Sequence, residues 1–240
     1  MFFMMSKGRL RLLAAVLITA FVLSILGAAP VNVQAQGSKE RVKLNIKGGT
    51  KPLDVIKQLR AENLIPGGGK VDIQIPRSVI SVRQPGTWYF PIGRGTRSRD
   101  YVMSFEMRAQ SMDGETNACG MAFRIVNDDD FSFILLTKDR RIVLRQQDGG
   151  KSIVDFDQSV DDLEGVDASD YELNREQLHI ITIVANGQDL ILFLNGTEIV
   201  REEKAKSVRG RFATMLFNEE GNETNTECRY SNIWTWDLSQ

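Results

Sequence analysis

Residues 122–136 read AFRIVNDDDFSFILL, with Asp128, Asp129 and Asp130 standing together behind Asn127 between two apolar runs. Such oxygens could serve calcium, a hard cation that wants several oxygen ligands. Three adjacent residues in a tight turn cannot all face one ion, however, and the D-x-[DN]-x-[DN]-G spacing is missing. Asn and Asp also satisfy turn geometry by themselves. The segment is therefore expected to be the solvated tip of a hairpin. A second acidic set, Asp155, Asp157, Asp161, Asp162, Glu164 and Asp167, could hold calcium or form an acid/base pair. Its plainer reading is a polar loop that keeps like charges apart. No cofactor is expected; calcium is the metal these acidic loops could hold.

His179 is the only histidine, and it sits between Leu178 and Ile180. A base or nucleophile-activating role needs a partner Cys, Ser or carboxylate in space, and one histidine provides no Cys/His zinc spacing. A half-buried strand position is expected. Trp88, Tyr89, Tyr230, Trp234 and Trp236 are the candidates for stacking on sugar rings. Tyr230, Trp234 and Trp236 share a parity near the end of the chain, so together they form a glycan platform or core, according to which face is open. Aromatic side chains dominate cores. GRGTRSRD, 93–100, could bind phosphate or sulfate because Arg forks match tetrahedral oxyanions. It lacks P-loop spacing and no helix follows, so a surface loop is expected. Asn195-Gly-Thr197 and Asn222-Glu-Thr224 match the glycosylation sequon.

The elements that must position these residues read mostly as strands. DYVMSFEMRA places Tyr101, Met103, Phe105 and Met107 on one face and Val102, Ser104, Glu106 and Arg108 on the other, a half-buried antiparallel strand. GMAFRIV and FSFILLT flank the aspartates. LHIITIVANGQDLILFLNGTEIV contains two Asn-Gly steps, the preferred dipeptide of type I′ turns, and predicts a three-stranded meander over 178–200. GRFATMLF and ECRYSNIWTW follow. Upstream, RVKLNIK, KVDIQI, SVISV and TWYF read as strands punctuated by Pro76, Pro85 and Pro91. One amphipathic helix is predicted over TKPLDVIKQLRAENLI, capped by Thr50, with Leu53, Ile56 and Leu59 on one face and Pro66 and Gly67–Gly69 ending it. Many short strands at regular spacing point to an antiparallel sandwich, not to βαβ units.

The 240 residues are 42% hydrophobic and 25% charged, a composition that suits a substantial core. The net charge of −1 offers no basic field for nucleic acid. Lys7, Arg9 and Arg11 followed by an apolar stretch from Leu12 to Ala29 read as a signal peptide over 1–35, with Val33 and Ala35 at the −3 and −1 positions before Gln36. An uncleaved anchor is the alternative, and the one membrane attachment expected. Removing the three cations leaves 27 basic against 31 acidic residues, a net charge of −4. Either way an exported, extracellular or cell-envelope location is expected. Cys119 and Cys228 are then expected to form a disulfide.

From Asp100 to about residue 237, DYVMSFEMRA, GMAFRIVNDDDFSFILLT, HIITIVANGQDLILFLNGTEIV, GRFATMLF and CRYSNIWTW together resemble the concanavalin A-like lectin/glucanase superfamily, in its laminin-G-like and 3-keto-disaccharide hydrolase-like forms. The resemblance implies a jelly-roll β-sandwich over 100–240, with 36–99 as an extension that supplies the helix and edge strands. Laminarinase-like members carry E-x-D-x-x-E or a close variant on one strand, and no such run occurs here. The hydrolase-type members carry an acidic residue and a glutamine on the strand after GxxFR, where this chain has Ser132 and Ile134. The residues therefore favour an exported, non-catalytic module that binds a carbohydrate or cell-surface polymer, with Trp88, Tyr230, Trp234 and Trp236 as its candidate ligand contacts. A glycoside-acting hydrolase and a structural or protein-interaction domain are the alternatives.

Overall fold

The computed structural model describes residues 41–163, 166, 171–219 and 225–239, with Arg94 described by its backbone alone. The expected signal segment lies outside these residues, as do Glu164, Asp167 and the Asn222 sequon. Among the described residues, no helix is long and apolar enough to cross a membrane.

Helix α1, Pro52–Ala61, begins with Pro at its first turn, where the missing N–H has no helical partner to lose. Thr50 does not cap it, because its hydroxyl is bonded to the Lys47 backbone instead. The helix ends before Pro66. Asn63 turns into the left-handed region at φ 57°, and Leu64 N–H donates to Leu59 O at 2.9 Å while Asn63 N–H donates to Arg60 O at 3.0 Å. That is a Schellman closure with Asn in place of glycine. Val55, Ile56 and Leu59 form its buried face, whereas Leu53 is exposed.

Among the described residues twelve strands follow: β1 Lys70–Val82, β2 Gly86–Ile92, β3 Tyr101–Met112, β4 Ala118–Ile125, β5 Ser132–Thr137, β6 Arg141–Asp148, β7 Lys151–Ser159, β8 His179–Asn186, β9 Asp189–Leu194, β10 Thr197–Glu202, β11 Arg211–Asn218 and β12 Thr226–Asp237. Sheet A runs β1-β12-β3-β8-β9-β10 and sheet B runs β2-β11-β4-β5-β6-β7. Every pairing is antiparallel. The chain thus has the jelly-roll sandwich that the resemblance implies. β1 continues through Pro76, which an edge strand tolerates because one side of it donates to no neighbour. β1 and β2 are each the outermost strand of a sheet, so Arg41–Gln240 form one compact unit. Residues 41–47 make no ladder of their own. They cross the Asn195–Gly196 turn, with Leu44 N–H donating to Gly196 O.

The predicted meander is β8-β9-β10. Its second turn has both Asn195 and Gly196 at positive φ, as type I′ requires. The first turn differs: Asn186 pairs with Asp189, leaving Gly187 and Gln188 at the tip with only Gly187 at positive φ.

Between the sheets lies the main core, including Tyr101, Met103, Phe105, Phe123, Ile134, Leu192, Phe212 and Tyr230. Cys119 of β4 and Cys228 of β12 are joined across it. Beside the bridge, the Tyr230 hydroxyl accepts from Gly120 N–H at 3.1 Å, and its proton lies between the Gly120 and Met215 carbonyls at 2.9 and 2.8 Å. β3 is buried on both faces, not half-buried, because α1 packs over the outer face of sheet A against Val102, Val184, Ile191, Phe193 and Trp234.

Candidate functional site

Two bulges decide which side chains reach a surface. In β12 the ladder to β3 gains a residue between Ser231 and Trp234, and Asn232 there has φ 47°. Its amide donates to Thr50 O and Glu106 Oε1, both at 3.2 Å. The shared parity of Tyr230 and Trp234 is thereby broken. Tyr230 faces the inter-sheet core, and Trp234 faces the cluster beneath α1. Both are buried, so neither offers a ring to a ligand. Trp236 is half-buried, with its N–H on Gly68 O and the Arg60 guanidinium 5.9 Å from its ring centre. It fastens the loop that follows α1. Trp88 packs on the main core and donates to Gln84 O at 3.2 Å. Of the four expected ligand contacts, Tyr230 and Trp234 are thus buried core residues, a correction that follows from the bulge and from the cover of α1, while Trp88 and Trp236 are half-buried with their indole N–H groups on backbone carbonyls.

The second bulge is in β4, where Arg124 has φ 52°. It puts Phe123 in the main core and Ile125 on the outer face of sheet B. Arg124 is fully buried, and its guanidinium donates to Lys206 O at 2.9 Å, Gly187 O at 3.1 Å and Arg99 O at 3.5 Å. It joins three loops at one end of the sandwich.

The outer face of sheet B carries its own apolar cluster, whose central residues are buried at 8% exposure or less, with polar and aromatic side chains at its rims. Its middle rows are Ala213 and Met215 on β11, Ala118, Gly120 and Ala122 on β4, and Phe133 and Leu135 on β5. The apolar members cluster with Ile125, Phe131, Val143 and Phe217, all from this sheet or its loops. Phe131 and Phe133 stack at 5.8 Å. Tyr89 stands opposite Met215 at the rim, 43% exposed, the most open aromatic residue among the described ones classed as large and hydrophobic. Its hydroxyl donates to Asp128 Oδ1 at 3.1 Å. Partial burial and that carboxylate push the phenol above its ordinary range, while Arg211 pulls the other way.

The opposite rim is ionic. Arg145 Nη2 meets Asp155 at 2.8 Å and Arg141 Nη2 meets Asp157 at 2.6 Å, between β6 and β7. Asp161 pairs with Arg140 at 2.9 Å. Asp155, Asp157 and Asp161 of the acidic set read from sequence are therefore each paired with its own arginine of the neighbouring strand or turn. Asp155 and Asp157 share a face, but each is neutralised by its own guanidinium.

The three aspartates lie in the β4–β5 turn, with Asn127, Asp128 and Asp129 exposed as a solvated tip requires, and hydrogen bonds brace the turn. Asn127 Oδ1 accepts from Asp129 and Asp130 N–H at 2.8 and 2.9 Å. Asp130 also accepts from Gly149 N–H at 2.7 Å. The Gly149 N–H foremost, and then Asn127 Nδ2, which donates to Asp130 Oδ2 at 2.7 Å, hold the carboxyl below the ordinary range. Among the described residues, no group of three or more His, Cys, Asp or Glu could hold a metal ion. His179 is fully buried rather than half-buried, with Nε2 on Glu172 O at 2.9 Å and its ring against Tyr171. Asn195 uses its side chain to accept Ile180 N–H at 2.8 Å, so the turn accounts for it.

No family model matches the sequence, and no curated protein matches it. Among solved structures the chain is similar to the carbohydrate-binding module CBM66 from Bacillus subtilis, at 9% identity and TM-score 0.49, over 69% of this chain and 93% of that one. It is similar to a beta-glucanase of Bacillus licheniformis at 11% identity and TM-score 0.45, over 67% and 78% of the two chains. It is also similar to the catalytic domain of an endo-1,3-beta-glucanase (laminarinase) from Thermotoga petrophila RKU-1 at 11% identity and TM-score 0.44, over 64% and 69%. One neighbour is named as a binding module and two as glucanases. The likeness is one of architecture, and no ligand, reaction or residue role passes from them to this chain.

Proposed function

We propose that the protein is an exported, non-catalytic module that binds a carbohydrate or cell-surface polymer on the outer face of sheet B. The observation that carries this reading is Tyr89, exposed at one rim, with fixed ionic side chains at the far rim; the small and apolar rows between them are buried and form the floor of the face. A ring held by a hydroxyl contact to Asp128 presents its face to the C–H groups of a sugar. Arg141, Arg145, Asp155 and Asp157 are oriented by their own pairs and offer remaining donors and acceptors to hydroxyl groups. The disulfide agrees with an oxidising compartment.

Hydrolysis would require two carboxylates converging across a glycosidic bond, about 5–9 Å apart. The acidic residues of this face are instead each tied to an arginine or to a turn. A glycan array probed with the full-length protein, with and without a calcium chelator, tests the reading. Binding to one or more glycans is expected, and Tyr89→Ala should weaken it on the order of tenfold. Binding to none refutes it, and sugar released from a bound glycan establishes the hydrolase instead.

A further inference from the structure

The loop 93–99 returns from β2 and pairs with the entry to β11 through one antiparallel bridge. Ser98 N–H donates to Gly210 O at 3.2 Å, and Gly210 N–H donates to Ser98 O at 3.1 Å. Ser98 is 3% exposed and Gly210 is buried against the Arg124 backbone, where no side chain would fit. The residues flanking such a pair project to the opposite side from it. All four are arginines: Arg97 and Arg211 on one side of the bridge, Arg99 and Arg209 on the other. Arg97, Arg99 and Arg209 are exposed, and Arg211 is half-buried.

Like charges in cross-strand register repel, yet among the described residues none of the four is in an ion pair. The ion pairs of the molecule belong to other cations. Asp72, Asp100 and Asp128 accept from neutral donors, the Ser98 hydroxyl, Gly187 N–H and the Tyr89 hydroxyl, and form no ion pair with the four arginines. Arg211 Nε has no hydrogen-bond partner. The arrangement is also held from beneath. Arg209 Nε donates to Arg97 O at 3.1 Å, and buried Arg124 binds Arg99 O and Lys206 O. Arg211 continues into the outer row of β11 with Ala213, Met215 and Phe217. The cationic patch is therefore the end of the face to which binding is assigned above.

We propose that Arg97, Arg99, Arg209 and Arg211 bind the carboxylate or sulfate groups of an anionic polysaccharide lying along the outer face of sheet B. Guanidinium forks match both oxyanions in bidentate geometry. Successive arginines two residues apart stand about 7 Å from one another, which suits repeated charges on a linear polymer better than one small anion. A net charge of −1 leaves no broad basic field for nucleic acid or a lipid surface. This inference rests on the carbohydrate-binding reading.

Fluorescence polarisation of the full-length protein with labelled polygalacturonate, heparin and neutral laminarin tests it. The two anionic glycans should bind about tenfold more tightly than laminarin, and the advantage should disappear between about 0.05 and 0.5 M salt. R97Q/R99Q should reduce the same advantage without lowering the melting temperature, because both side chains are exposed and these residues enter the supporting hydrogen bonds only through their carbonyls. Equal affinity for laminarin and the anionic glycans overturns this inference and leaves the carbohydrate-binding reading standing. Binding to none of the three overturns both. Equal affinity for a DNA oligonucleotide or phosphatidylglycerol vesicles at the same salt overturns the assignment to polysaccharide. The wild-type comparisons decide the matter even if the variant folds poorly.

Discussion

At the scale of single residues, Tyr230 is more instructive than any exposed aromatic. Its hydroxyl reaches from sheet A to the backbone of two sheet B strands, and burial pushes its ionisation far above the ordinary range. Tyr230→Phe leaves Gly120 N–H and two carbonyls without this partner. It should cost about 1–3 kcal/mol, read as a lower urea midpoint at unchanged slope. His179 provides a pH signature. Burial lowers its folded-state affinity for protons, opposed by the Glu172 carbonyl, so the folded chain favours neutral imidazole. Its contribution to stability is complete above the unfolded value of about 6.5 and falls as the pH drops below it. Urea midpoints should therefore decline from pH 7.5 toward pH 5, by less in His179→Leu; equal declines would remove His179 as a cause. His179 was legible as a strand residue, but its complete burial was not, because that depends on Tyr171 returning to stack on it.

At the scale of elements, alternation was readable wherever the strand is regular. The β8–β10 meander and the turn at Asn195–Gly196 follow from apolar periodicity and the φ demands of Asn-Gly. Reading failed at the bulges. Arg124 and Asn232 adopt left-handed φ without being glycine, and each shifts every later side chain of its strand to the other face. Only contacts distant in sequence stabilise them: Lys206, Gly187 and Arg99 for the first, Thr50 and Glu106 for the second. The platform imagined from Tyr230, Trp234 and Trp236 fails for this reason. The acidic set is similar. Asp155 and Asp157 look free in sequence, and the β6–β7 register supplies their arginines. Asn232→Ala should destabilise the protein by about 2–3 kcal/mol, combining left-handed strain with lost hydrogen bonds. Asn232→Gly keeps the permitted φ and should cost less. A reversed order in chemical denaturation would show that the bulge is not held by its backbone geometry.

At the scale of the whole molecule, the sheets are tied by the Cys119–Cys228 disulfide, by the Tyr230 hydroxyl, and by Asn218 of β11, whose amide donates to Val82 O of β1 at 2.9 Å and accepts from the Thr226 hydroxyl of β12. Cys119 and Cys228 are 109 residues apart, and C119A/C228A should lose about 4–5 kcal/mol by the loop-entropy estimate, measured as a drop in denaturation midpoint beside the intact protein. The order of the strands has a kinetic corollary. β1 pairs only with β12, and β2 only with β11, so the first two strands to be synthesised wait for the last two. Until those arrive, β1 and β3 in one sheet, and β2 and β4 in the other, flank an empty slot. Such non-local closure is slow, and open strand edges invite intermolecular pairing while it is pending. In pulse-labelled hydrogen exchange, amides of β8 and β9 should become protected before those of β1 and β2. Crowded refolding should aggregate through the open slots, which makes the late insertion of β11 and β12 the step that governs yield.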